Sequence, residues 1–143
     1  MSLTIKNAND DEIEIGYFGF YRLRLKIAEL TAEDIYRHYE KLQDFACMST
    51  GEKEHYNLET DKLMYKYQHS QKHLVLDFLY ASDCDGSMDA EHCKAVYDLI
   101  KDCDDKTQYG YVDRAMWDIP ATISSFAELL KEAVEDGKGI EWY

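Results

Sequence analysis

Proline occurs once in this chain of 143 residues, glycine only seven times, and no stretch is rich in glycine and serine. Linkers between domains usually carry such residues, so the sequence reads as one domain spanning 1–143. A chain of this size buries roughly 68–70% of its unfolded surface, enough for one core without covalent staples. Long apolar runs are missing as well. None approaches the ~20 residues that cross a bilayer. Met1-Ser2-Leu3-Thr4-Ile5-Lys6 lacks the apolar stretch of a signal peptide. The expectation is a cytoplasmic protein with no membrane contact. No pair among Cys47, Cys84, Cys93 and Cys103 has CxxC spacing, which argues against a zinc ribbon. In the cytoplasm these thiols are expected to stay reduced. Repeats of solenoid length are absent too.

Basic residues are scarce. Sixteen lysines and arginines face twenty-nine aspartates and glutamates, a formal net charge of −13. Such a chain repels phosphate backbones, which argues against direct binding of DNA or RNA. It attracts cations and basic protein surfaces instead. Solubility is the plain account of this acidity. The sharper account is a nucleic-acid mimic filling a partner's basic groove.

Aromatic residues are plentiful at 13%, twelve of them tyrosine. Tyrosines serve both core edges and contact surfaces. Residues 1–12 are polar and acidic and are expected to be loosely held. From Ile13 two periods compete. Ile13, Ile15, Tyr17, Tyr21 and Leu23 alternate as in a strand, whereas Phe20, Leu23, Ile27 and Leu30 recur at helical spacing. We read a short strand over 12–16 and a helix from Tyr17. Thr31 and Asp34 mark a second helix start, with Ile35, Tyr39, Leu42 and Ala46 on one face. Met48-Ser49-Thr50-Gly51 breaks the pattern, and a polar linker to about Asn57 is expected. Thr60 is placed to cap a helix running through Leu63, Tyr67, Leu74 and Phe78 with a bend near Ser70. Asp89 caps a helix carrying Cys93, Val96, Tyr97, Ile100 and Cys103. Trp117 and Ile119 precede Pro120, which suits the first turn of a last helix. That helix carries Ile123, Phe126, Ala127, Leu130 and Val134 and stops at Gly137. The tail 139–143 reads as a strand placed to pair with Ile13-Glu14-Ile15.

Ser82-Asp83-Cys84-Asp85-Gly86-Ser87-Met88-Asp89 concentrates hard oxygen ligands in one short turn. An EF-hand loop carries oxygen ligands at positions one, three, five, seven, nine and twelve, with glycine at six. With Gly86 at six, the metal ligands are Asp83, Asp85, Ser87 and Asp89. Ala81 stands at position one and His92 at twelve, so two ligands are missing. The expectation is weak calcium binding at best. The competing account is an Asp-Gly turn whose carboxylates cap the next helix.

Other constellations are thinner. His69 and His73 have the i, i+4 spacing of helical metal ligands, without an obvious third. His92 and Cys93 are sequence neighbours, which do not face each other on a helix. Cys93 lies on an apolar stripe, and Asp83 and Asp85 oppose thiolate formation at Cys84. Ser124-Ser125 lacks a GxSxG setting, and Gly16-Tyr17-Phe18-Gly19 lacks phosphate-loop spacing. Arg22, Arg24 and Lys26 form the one basic cluster and are expected to neutralise nearby acids. No catalytic residue is assigned.

Three segments carry a likeness. They are Tyr17-x-Gly19-Phe20-x-x-Leu23-Arg24-x-x-Ile27-Ala28, then Ser82-Asp83-Cys84-Asp85-Gly86 followed by Cys93, and a last helix ending in Gly-x-x-Glu-aromatic. Together they resemble a set of small bacterial and phage-associated proteins that carry Tyr-x-Gly-Phe-x-x-Phe-Arg and His-Ser-Asp-Cys-Asp-Gly segments. Ala81 stands where that set has histidine, and residues 31–72 are unmatched. The resemblance implies kinship of fold and no particular activity.

Taken together, these readings predict an all-α, α-dominated fold of four to six helices. They leave room for one short strand pair formed by the N- and C-terminal segments. The expected function is a non-enzymatic protein-interaction module engaging a basic partner. The alternative is weak Ca²⁺ binding at Asp83–Asp89 with a structural role.

Overall fold

In the computed structural model, residues 2–112 and 119–143 are described. The chain opens not on a loose tail but on a strand, β1 (Ser2–Asn7), followed by β2 (Glu12–Gly16). Leu3 and Ile5 of β1 are buried, and they pair with Ile15 and Ile13 of β2. Helices α1 (Tyr17–Thr31) and α2 (Glu33–Glu40), a 3₁₀ segment (Lys41–Cys47), α3 (Thr50–Lys66) and α4 (Gln71–Leu79) follow. Then come β3 (Gly86–Met88), α5 (Ala90–Ile100), β4 (Gly110–Val112), β5 (Pro120–Ala121), α6 (Ile123–Glu135) and β6 (Ile140–Trp142).

The all-α expectation is therefore wrong. The strands form one six-stranded antiparallel sheet in the order β3-β6-β1-β2-β4-β5. The tail strand does not pair with Ile13-Glu14-Ile15. It lies between β1 and β3, with Ile5 opposite Trp142 and Met88 opposite Ile140. Of the missed strands, β3, β4 and β5 are two or three residues long, too short for a period of two to show. β1 alternates clearly, but its acidic, polar setting hid it.

The inward row of the sheet (Leu3, Ile5, Ile13, Ile15, Ile140 and Trp142) is buried, with helices packed on it. The opposite row, with Thr4, Lys6, Glu12, Glu14 and Glu141, is polar, the usual division of an antiparallel sheet. At the centre, Phe20 and Phe78 both meet the Trp142 ring edge-on, with centroids 5.9 and 5.7 Å away. Phe78 also stacks on Phe126 at 5.9 Å.

Helix ends follow local chemistry. Thr31 does not start α2. Its hydroxyl donates to the Ile27 carbonyl at 2.6 Å and closes α1, and Ala32 is extended. Helix α3 occupies the expected polar linker. Ser49 and Glu52 form a reciprocal capping box, Ser49 Oγ accepting from the Glu52 N–H and Glu52 Oε1 from the Ser49 N–H. Thr60 sits mid-helix. The expected bend near Ser70 is a full break, where Ser70 Oγ accepts from the Lys72 N–H and starts α4. Pro120 lies in edge strand β5 rather than in α6, a place where its missing N–H costs no ladder bond. Trp117 lies outside the described residues. Gly137 adopts φ +65°, and the N–H groups of Gly137 and Lys138 return to the carbonyls of Val134 and Ala133. Among the described residues, no helix is long and apolar enough to cross a membrane.

Candidate functional site

Arg24, expected to neutralise nearby acids, is 3% exposed. Its guanidinium lies 4.0 Å over the Phe20 ring, 5.1 Å from that of Phe78 and 5.7 Å from that of Trp142. It donates to the carbonyls of Ala81 (3.0 Å) and Ser82 (3.2 Å), and Trp142 Nε1–H donates to the Ser82 carbonyl at 2.8 Å. Burial lowers the basicity of this guanidinium, while the Tyr39 hydroxyl and Asp83 oppose the shift. A Cβ on Gly86 would stand 2.4 Å from the Trp142 ring, and one on Gly19 would stand 2.2 Å from the Tyr109 carbonyl oxygen. Three segments far apart in sequence, around Arg24, Ser82 and Trp142, thus meet at one point. Arg24 of the first and Trp142 of the last hold the carboxylate turn by its backbone. This is a structural lock, and its signal in the sequence was an arginine inside a run of apolar residues at helical spacing.

The lock leaves the turn's side chains outside. Ser82 Oγ accepts from the N–H groups of Cys84 and Asp85, closing the turn on itself. Asp83, Asp85 and Ser87 are exposed, Ser87 on strand β3. Asp89 is turned away onto α5, where its carboxylate accepts from the His92 N–H at 2.9 Å. Among the described residues, no three His, Cys, Asp or Glu side chains gather in a way that would hold a metal ion. The expected ligands Asp83, Asp85, Ser87 and Asp89 are close in sequence but not convergent in space.

His92 has two partners the sequence did not suggest. Its Nδ1 lies 2.7 Å from Asp89 Oδ1 and its Nε2 lies 2.8 Å from Asp77 Oδ2 on α4. Partial burial disfavours the charged ring, but these two carboxylates outweigh it and raise the pKa above its ordinary value. The i, i+4 pairing of His69 and His73 fails because His69 sits in the turn between α3 and α4, while His73 faces Asp77 at 3.9 Å. The hydrogen bond and charge of Asp83 raise the pKa of the Cys84 thiol, and burial pushes that of Cys93 up to about 12. Both sulfurs are poor nucleophiles.

Another gathering of charge lies elsewhere. The β1–β2 turn and α6 face each other across a cleft of about 300 Å³ lined by Asp10, Asp11, Glu12, Glu128 and Glu132 together with Ile13 and Leu129. Asp10 holds the left-handed conformation of the turn, φ 64°, and Lys6 reaches its carboxylate at 2.9 Å. Hydrogen bonds with Asp11 and with Asn7 Nδ2 hold the Glu132 carboxyl below the usual range. The acidic run 10–12 and the i, i+4 pair Glu128/Glu132 are visible in the sequence. That they share a cleft depends on sheet pairings the sequence did not reveal. Comparison of the chain with protein-family models, with characterised proteins and with solved structures found no match.

Proposed function

We propose that this chain is a non-enzymatic protein-interaction module of the bacterial cytoplasm, of prophage descent, whose acidic face engages a partner with a basic surface. The observation that carries this reading is the cleft between the β1–β2 turn and α6, where five carboxylates line one concavity. The apolar side chains of Ile13 and Leu129 in its lining suit the aliphatic stems of lysine or arginine side chains, with the charged heads reaching the carboxylates. A net charge of −13 adds long-range attraction to such a partner and repulsion of nucleic-acid phosphate. The raised thiol pKa values of Cys84 and Cys93 support the non-enzymatic part. On the same reading, the likeness to small phage-associated proteins is kinship.

The test is affinity capture from a bacterial lysate at low and high salt, with mass spectrometry. Three baits are compared: the native chain, the cleft variant Asp10→Asn/Glu128→Gln/Glu132→Gln, and the control Glu54→Gln/Glu59→Gln on α3. A basic protein held by the native chain and the control, but released by salt and by the cleft variant, is the expected result. Equal retention by both variants rejects the acidic cleft as the contact surface.

A further inference from the structure

His92 touches two carboxylates, one through each ring nitrogen. A carboxylate at neutral pH only accepts hydrogen bonds, and a neutral imidazole has a single N–H. With a neutral ring, one nitrogen would point its lone pair at an anion less than 3 Å away. The geometry is satisfied when both nitrogens carry protons. We propose that His92 is a proton-operated clamp, an imidazolium that ties Asp77 of α4 to Asp89 at the start of α5 and lets go when the ring loses its proton.

The groups facing the ring are Asp77 on α4, with His73 beyond it at 3.9 Å, and Asp89 on the segment before α5. The His92 side chain is 22% exposed, so solvent does not wholly screen these contacts. The clamp spans the base of the segment that links α4 to α5. That segment carries the turn docked on Arg24 and Trp142, and β3, the edge strand paired with β6. Losing a proton removes one of the two bridges and loosens that segment, while the Asp89 cap on the His92 N–H stays in place. The linkage has a definite sign. A folded-state pKa raised above the ordinary 6.5 means that the contribution is complete below 6.5 and lost as the pH rises through the folded value.

NMR titration of the His92 ring, with amide hydrogen exchange over residues 82–93 corrected for intrinsic rates, tests the proposal on the full chain, on His92→Gln and on Asp77→Asn. The native ring should titrate above 6.5. Amide opening in that segment should rise about two- to fivefold across the same range, as fits a partly exposed ion pair. In Asp77→Asn the ring should titrate lower, and in His92→Gln the pH dependence should vanish. A native ring titrating at or below 6.5 overturns the clamp. So does exchange that ignores the ring's charge, or that keeps its pH dependence in both variants.

Discussion

Two parts of this molecule hold together by different means. The sheet with α1, α4, α5 and α6 closes over Trp142, Phe20, Phe78 and Phe126, each at most 1% exposed. Helix α2 still reaches that core through Ile35 and Tyr39, whereas α3 lies beside it and works mainly through polar groups. Of the seventeen residues of α3 only Tyr56 is buried. Its hydroxyl donates to the His38 carbonyl at 3.1 Å and pairs with the Tyr80 hydroxyl at 3.1 Å, while its ring stacks on that of His38 with centroids 4.0 Å apart. At the far end Tyr67 and Lys66 both reach the Asp34 carboxylate. Apolar burial stabilises in proportion to area, whereas a hydrogen bond exchanged with water yields little net gain. The helical annex should therefore open on its own, well below the free energy of global unfolding.

Trp142→Ala should produce the largest effect. It leaves a cavity at the centre of the core and removes a donor from the Ser82 carbonyl, and truncations of this kind cost about 3–5 kcal/mol. Denaturant unfolding measures it, and the whole domain should lose stability in one transition. Arg24→Met keeps much of the side-chain volume but deprives the Ala81 carbonyl of its guanidinium donor, at about 1–3 kcal/mol, while the Ser82 carbonyl keeps the Trp142 indole N–H. If Arg24→Met were neutral, the arginine would not be the lock described above.

The annex should respond differently. Tyr56→Phe keeps the ring and deletes the hydroxyl bonds to His38 and Tyr80, for a loss of about 0.5–1.5 kcal/mol. Amide exchange should then accelerate across α3 and leave α5 and α6 unchanged. Uniform acceleration across the domain would erase the distinction between core and annex. Ser49→Ala removes half of a capping box and should cost about 1 kcal/mol, confined to the first turn of α3.

The same contrast explains which elements the sequence revealed. Segments whose buried residues repeat at helical spacing were readable: Phe20, Leu23, Ile27 in α1, Cys93, Val96, Ile100 in α5, and Ile123, Phe126, Leu130 in α6. Helix α3 buries almost nothing and shows no stripe, although Ser49-x-x-Glu52 announced its start. The sheet was hidden because β3, β4 and β5 offer only two or three residues each and become strands by pairing with other segments. As for the site, the carboxylate turn stood out by composition, but its anchor is a backbone lock made by Arg24 and Trp142, and carbonyl acceptors leave no trace in side-chain identity. The acidic cleft needed the β1–β2 hairpin and α6 to be placed side by side.

The turn at 82–89 belongs to the core side of this comparison, because protein groups hold it, and calcium tests that assignment. A ligand that binds the folded state stabilises it by RT ln(1 + [L]/Kd), so even a site with a dissociation constant near one millimolar would show a gain at ten times that concentration. Here Asp89 is engaged with the His92 N–H and ring, and Ser87 sits on a paired strand. Recruiting both as ligands would mean giving up the α5 cap and the β3–β6 pairing. Excess calcium should therefore leave the midpoint of thermal unfolding where magnesium at equal ionic strength leaves it. A calcium-specific rise that disappears in Asp83→Ala/Asp85→Ala would move the turn out of the core side and make it an ion-held element.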